Sequence, residues 1–123
     1  MEKRNTILIV DDDYRNIFAL AAVLKARGFS VESANGMQEA FEVLDRNRQI
    51  ELVLLDMMMP DMDGYEALPR LKQYPEYAHL PIIAVTAQAM VGDREKCLEA
   101  GADDYLSKPV DIDVLLKMLQ RFL

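Results

Sequence analysis

Short apolar runs that stop at a polar residue recur along this chain, and stretches of helical spacing lie between them. Ile7-Leu8-Ile9-Val10 stops at Asp11-Asp12-Asp13, Leu52-Val53-Leu54-Leu55 at Asp56, and Pro81-Ile82-Ile83-Ala84-Val85 at Thr86. Each run is too short for a helix and rich in branched side chains, so each reads as a strand buried on both faces. Two weaker strands follow the same plan: 29–34, which alternates, and Asp104-Tyr105-Leu106-Ser107, which leads into Lys108-Pro109. Helical stretches fill the gaps at 14–27, 37–48, 65–73, 91–100 and 112–122, with Gly28 and Gly101 as stops and Asp13 and Asp111 as N-caps. Pro69 is expected to kink or shorten the third helix. Residues 57–64 read as a loop, marked by Pro60 and the turn pair Asp63-Gly64.

Strand and helix alternating five times means an α/β fold with a five-stranded parallel sheet, doubly wound by five helices. Against about 150 residues per domain, 123 residues are expected to make one domain, 1–123, and no output domain is expected behind it. The common strand order for such a sheet, 2-1-3-4-5, sets strands 1, 3, 4 and 5 side by side about 4.8 Å apart. Ligands of open α/β sheets sit beyond the carboxyl ends of the strands. That edge would carry Asp11 and Asp12, Asp56, Thr86 and Lys108, residues far apart in the chain.

Three carboxylates at close range repel, each pair by about 4 kcal/mol at 4 Å near a surface, so an acid takes a proton or a cation binds. All-oxygen ligands favour a hard ion such as Mg²⁺. A phosphoryl group between that ion and Lys108 would have its charge neutralised from both sides. Asp56 then reads as an in-line carboxylate nucleophile and Thr86 as a hydroxyl donor to a phosphoryl oxygen. Composition narrows the partners. Fourteen Lys and Arg against 21 Asp and Glu give a net charge of −7, a poor match for nucleic acid. No apolar run approaches the roughly 18 residues of a membrane span, which predicts no direct membrane contact. A single cysteine, Cys97, fits a reducing, cytoplasmic setting.

These residues resemble the receiver domain of a two-component phosphorelay response regulator. The resemblance rests on the acidic pair Asp11-Asp12, on Asp56 followed by Met59-Pro60-Asp61-Met62-Asp63-Gly64, on Thr86-Ala87, and on Asp104-Tyr105-Leu106-Ser107-Lys108-Pro109. It implies the five-stranded flavodoxin-like fold. It further implies phosphorylation of Asp56 by a partner phosphohistidine, on a histidine kinase or a histidine-phosphotransfer protein. Mg²⁺ would be held by Asp12, Asp56 and the backbone carbonyl of Met58, with Asp11 acting largely through water. A switch in which Thr86 is drawn to the phosphoryl group and Tyr105 turns inward is implied too, as are a cis bond before Pro109 and a role for Met58 and Gln88 in tuning hydrolysis. The segments 13–20 and 92–97 resemble receivers attached to hybrid sensor histidine kinases. A monomer or weak dimer is expected.

Two other functions compete. Asp11-x-Asp13 superficially matches the paired aspartates of Mg²⁺-dependent aspartyl phosphatases, although Arg15 stands where those enzymes usually carry a Thr and the chain leaves little room for a substrate cap. A scaffold that works without phosphorylation would not need the intact rim. Elsewhere the plainer readings prevail. Met57, Met58 and Met59 are expected to pack, since thioethers suit soft ions. His79 and Cys97 are expected to carry no chemistry. On the first helix Ile17, Leu20, Val23, Leu24 and Arg27 share a face and Phe18 falls opposite, an exposed aromatic beside the acidic rim and a candidate partner contact.

Overall fold

The structure is a computed structural model, and it describes residues 5–59, 64–87 and 92–123. Strands β1 (Thr6–Val10), β2 (Ser30–Ala34), β3 (Ile50–Asp56), β4 (Ile82–Thr86) and β5 (Asp104–Ser107) alternate with helices α1 (Tyr14–Ala26), α2 (Met37–Arg46), α3 (Gly64–Gln73), α4 (Asp93–Ala100) and α5 (Ile112–Phe122). The strands form one parallel sheet in the order β2-β1-β3-β4-β5, as the sequence pattern predicts.

Side chains on a strand alternate between faces, and here the alternation sorts the core into two layers. Leu8, Val10, Val53, Leu55, Ile82 and Ala84 meet the buried sides of α2, α3 and α4. Ile7, Ile9, Leu52, Leu54, Ile83, Val85 and Leu106 meet Ile17 and Leu24 of α1 and Leu115 and Leu119 of α5. Both faces being covered, the central strands carry apolar residues at successive positions.

Caps fall where the sequence places them. Asp13 accepts from the Arg15 backbone N–H at 2.9 Å, and Asp111 accepts from Asp113 and Val114 at 2.9 and 3.3 Å. Gly28 follows α1 with a φ of +93°, a left-handed conformation that suits glycine. Several borders differ from the sequence reading. α2 stops two residues short of 48 because Asn47 turns extended (φ −121°, ψ 99°). β3 begins at Ile50, ahead of its apolar run, because a parallel ladder needs backbone pairing rather than apolar side chains. Pro69 does not shorten α3: the helix runs through it to Gln73, with Pro69 exposed and Leu68 and Leu71 buried on the opposite side. The predicted start of the fourth helix at 91 lies outside the described residues, and α4 is described from Asp93.

Candidate functional site

Register brings the site together. Val10 pairs with Leu55, so the residues after them, Asp11 and Asp56, lie at the same level of the sheet. Thr86 ends β4 one step beyond the Asp56–Val85 pair and is itself paired with Ser107, which puts Lys108 just past that rim. Backbone bonds fasten the corner: the Lys108 N–H donates to the Thr86 carbonyl at 2.8 Å and the Met57 N–H to the Val85 carbonyl at 2.9 Å. The Lys108–Pro109 bond is cis, as the resemblance implied.

Carboxylate oxygens of Asp11, Asp12 and Asp56 lie within 4.8 Å of one another. Asp11 and Asp56 are buried and Asp12 is exposed. The Lys108 ammonium donates to Asp11 Oδ2 at 3.1 Å and to Asp56 Oδ2 at 3.4 Å. Asp11 also accepts from the Asp13 N–H at 2.9 Å and from the Asn16 side-chain amide at 3.5 Å. The other Asp56 oxygen, Oδ1, accepts from the Met58 N–H at 3.0 Å. Asp56 is thereby held at both oxygens, one by a backbone donor and one by the lysine.

Burial raises the pKa of Asp56; the Met58 N–H works against that rise, the charge of Asp11 adds to it, and Lys108 opposes it. For Lys108, burial works against the charge, but hydrogen bonds and charges from Asp11 and Asp56 outweigh it and hold the ammonium above the ordinary lysine pKa. Three carboxylates against one ammonium leave two negative charges, which a divalent ion would balance. The donors are all oxygen, so the set fits Mg²⁺ rather than a softer metal.

Thr86 is buried at the end of β4 and Tyr105 is half-buried on β5, where its hydroxyl pKa is raised by burial first and by Asp93 and Cys97 next. Strand parity sets Thr86 on the side of Ala84, and Ala84 pairs with Tyr105, so both candidate switch residues belong to the α4 face. Asp11, Asp56 and Lys108 take the parity of the α1–α5 face. Asp13 caps α1, accepting from the Arg15 N–H at 2.9 Å. Met57 and Met59 pack in the core, but Met58 is exposed, against the packing expected of it, because its N–H turns in toward Asp56 while its side chain turns out. Gln88 lies outside the described residues. Cys97 is buried, with its thiol pKa raised by that burial, and His79 is exposed and remote from the rim.

Gly64 closes the loop that follows Asp56. Its N–H donates to the Met57 carbonyl at 3.1 Å, and a Cβ there would sit 2.6 Å from Met57 Cα and 2.5 Å from its Sδ. The glycine is needed for this close approach. Gly64→Ala is expected to cost about 1–3 kcal/mol, read as a lower thermal midpoint, because backbone as well as side chain must move.

Sequence reasoning missed two contributors. Asn16, which steadies Asp11, sits in the first turn of α1, inside the segment 13–20 but with no role assigned to it from the sequence. Tyr14 is as exposed as Phe18, and the two border a recess of about 520 Å³ with Ile17, Ala21, Lys25 and Val31.

The response regulator receiver domain family model matches residues 7–120. The chain belongs to that family. It is 42% identical over 113 residues to the sensor histidine kinase RcsC of Escherichia coli (strain K12), covering 92% of this chain and 12% of that kinase, so it spans about an eighth of the relative's length. Among solved structures, a response regulator receiver protein from Pseudomonas putida matches with a TM-score of 0.89 and 30% identity, covering 98% of this chain and 99% of that one. The co-crystal of the Saccharomyces cerevisiae histidine phosphotransfer protein Ypd1 with the receiver domain of its downstream response regulator Ssk1 matches with a TM-score of 0.86 and 26% identity, covering 99% and 90%. The chain is a two-component receiver domain, and among the described residues no helix is long and apolar enough to cross a membrane.

Proposed function

We propose that this receiver accepts a phosphoryl group on Asp56 from a phosphohistidine of a histidine kinase or phosphotransfer protein, in a Mg²⁺-dependent reaction, and passes its state to partners through the α4–β5 face. The observation that carries the reading is the placement of Asp56: a buried carboxylate between a lysine ammonium and two further acids. Its oxygen attacks phosphorus, the P–N bond breaks, the electron pair leaves with the histidine nitrogen, and an acyl phosphate forms. The Met58 N–H orients the carboxylate through Oδ1. Lys108, 3.4 Å from Oδ2, faces the incoming phosphoryl oxygens and offsets their charge. Asp12, Asp56 and the Met58 carbonyl, with Asp11 through water, would hold Mg²⁺, which when bound supplies charge neutralisation to those oxygens. Thr86 contributes a hydroxyl donor at the same rim, and its shared face with Tyr105 gives the modification a route to the surface. A cytoplasmic setting fits this role.

The test is intact mass after incubation with acetyl phosphate and Mg²⁺. An adduct that vanishes in Asp56→Asn and in excess chelator is expected. An adduct on Asp11 that survives in Asp56→Asn would favour the phosphatase, and no adduct with any phosphodonor would favour the scaffold. Phe18, 78% exposed on α1 near the acidic rim, is proposed as a contact for the phosphodonor protein. Phe18→Ala should slow transfer from a phosphotransfer protein while leaving the acetyl phosphate reaction unchanged; equal transfer rates would remove Phe18 from that surface.

A further inference from the structure

A second recess lies between α2 and the segment after α3. Both helices start at the rim that carries Asp56, so their ends lie toward the opposite edge of the sheet. The recess measures about 310 Å³ and is lined by Phe41, Glu42 and Asp45 of α2 and by Tyr74, Glu76 and Tyr77. Three rings form its floor: Phe41 and Tyr74 meet edge to face at 5.5 Å, and Tyr74 and Tyr77 tilt together at 5.9 Å. Tyr74 is 47% exposed, an unusual use of an aromatic unless something covers it. The rim is acidic, and neither Glu42 nor Glu76 makes an ion pair with any described residue.

One cation already uses this surface. The Arg48 guanidinium lies 5.8 Å from the centre of the Tyr77 ring and pairs with Asp45 at 3.0 Å. Arg48 does not itself line the recess, but both of its partners do, so these groups can take a guanidinium near a tyrosine ring and beside a carboxylate. With three carboxylates against Arg48, two negative charges remain over an aromatic floor. An apolar ligand would leave those acids without partners, and an anion would be repelled.

We propose that this recess binds the guanidinium of an arginine side chain on a partner protein, as a docking point separate from the phosphoacceptor rim. Arginine is favoured over lysine because its planar group stacks on a ring and donates to carboxylates at its edge together, where an ammonium is a strongly hydrated point charge. Arg48 borders the recess and would compete with a second guanidinium for Tyr77 and Asp45.

The test is a titration of the whole chain followed by ¹H–¹⁵N NMR at constant ionic strength, with Nα-acetyl-arginine amide as the probe. Saturable shifts confined to residues 41–48 and 74–77 are expected. They should be at least tenfold weaker in the double variant Glu42→Gln/Glu76→Gln and lost in Tyr74→Ala, whose exposed position leaves the fold intact. Arg48→Gln should tighten binding two- to fivefold by clearing Tyr77. Free L-arginine should bind several-fold more weakly, since its carboxylate meets the acidic rim. Wild-type binding by Tyr74→Ala, shifts spread equally over Asp11, Asp12 and Asp56, or weaker binding by Arg48→Gln would overturn the site. Equal binding of free and blocked arginine would overturn the protein partner in favour of the amino acid.

Discussion

Lys108→Ala is expected to lower the stability of the fold by about 2–3 kcal/mol at neutral pH without added metal. Removing one partner of a buried ion pair leaves the other charge uncompensated, which typically costs about 3–5 kcal/mol. The lower figure applies here because part of the lysine side chain reaches solvent and two acids share it, Asp11 at 3.1 Å and Asp56 at 3.4 Å. The pH dependence separates this cause from lost packing. The folded pKa of Lys108 lies above its ordinary value, so its stabilising contribution is present throughout the neutral range and is lost only as pH rises past the lysine range. In the variant, the defect should shrink on acidification, because Asp56, with its raised pKa, can then take a proton, and it should shrink again when millimolar Mg²⁺ is added. Chemical denaturation at pH 5 and pH 7.5, with chelator and with Mg²⁺, measures both effects. A loss of equal size under all four conditions would assign Lys108 to packing alone. Phosphorylation by acetyl phosphate should fall at least a hundredfold in the same variant, the scale expected when a charged group facing a transferring phosphoryl is removed.

The course of the chain was readable because two periodicities agree. Apolar runs such as Ile7–Val10 and Leu52–Leu55 are long enough for a strand and too short for a helix, and each ends at a residue that must reach solvent or a partner. The site followed from strand order and register alone, since parallel strands carry the residues after Val10, Leu55 and Val85 to one edge. What stayed hidden depends on contacts between separate segments of the chain. Asn16 meets Asp11 from the first turn of α1, five residues on, and nothing in its residue type marks that role. Phe41 of α2 is half-buried against Tyr74, a residue past the end of α3, and no local pattern joins the two. Gly64 read as a turn residue by composition; its actual constraint is the nearness of Met57, which depends on how the loop closes onto α3. Asp104 also has the look of a strand-edge acid, and only the packing of α5 shows that Arg121 pairs with it. Sequence thus locates chemistry that the backbone register delivers, and misses chemistry that groups from separate segments create together.

Asp56→Asn should stabilise the fold while abolishing the chemistry. Burial and the neighbouring Asp11 charge make the ionised Asp56 carboxylate costly, and Met58 and Lys108 offset that cost only in part, since the folded pKa is raised. A raised pKa on an acid means that folding favours the protonated form. Relative to the unfolded chain, Asp56 therefore costs nothing once pH falls below the ordinary aspartate range near 4, and its penalty grows as pH rises through the folded pKa toward neutrality. Asparagine keeps the shape, leaves Oδ1 able to accept from the Met58 N–H, and removes the charge. A gain of about 0.5–2 kcal/mol at pH 7.5 is expected, in the range found when a strained functional group is neutralised. That corresponds to a thermal midpoint higher by roughly 2–8 °C for a domain of this size. Lys108 keeps Asp11 as its partner, so the gain is not cancelled by a stranded ammonium. Mg²⁺ should stabilise the two proteins unequally. At ten times its dissociation constant it adds about 1.4 kcal/mol to the wild type through mass action, and it should add far less to the variant, which lacks one carboxylate ligand. Thermal melts of both proteins at pH 4 and pH 7.5, in chelator and in Mg²⁺, give the comparison directly. Matching melts at pH 7.5 in chelator would mean that the carboxylate is already fully compensated by its neighbours, and the acidic rim would then have no electrostatic reason to take up a cation.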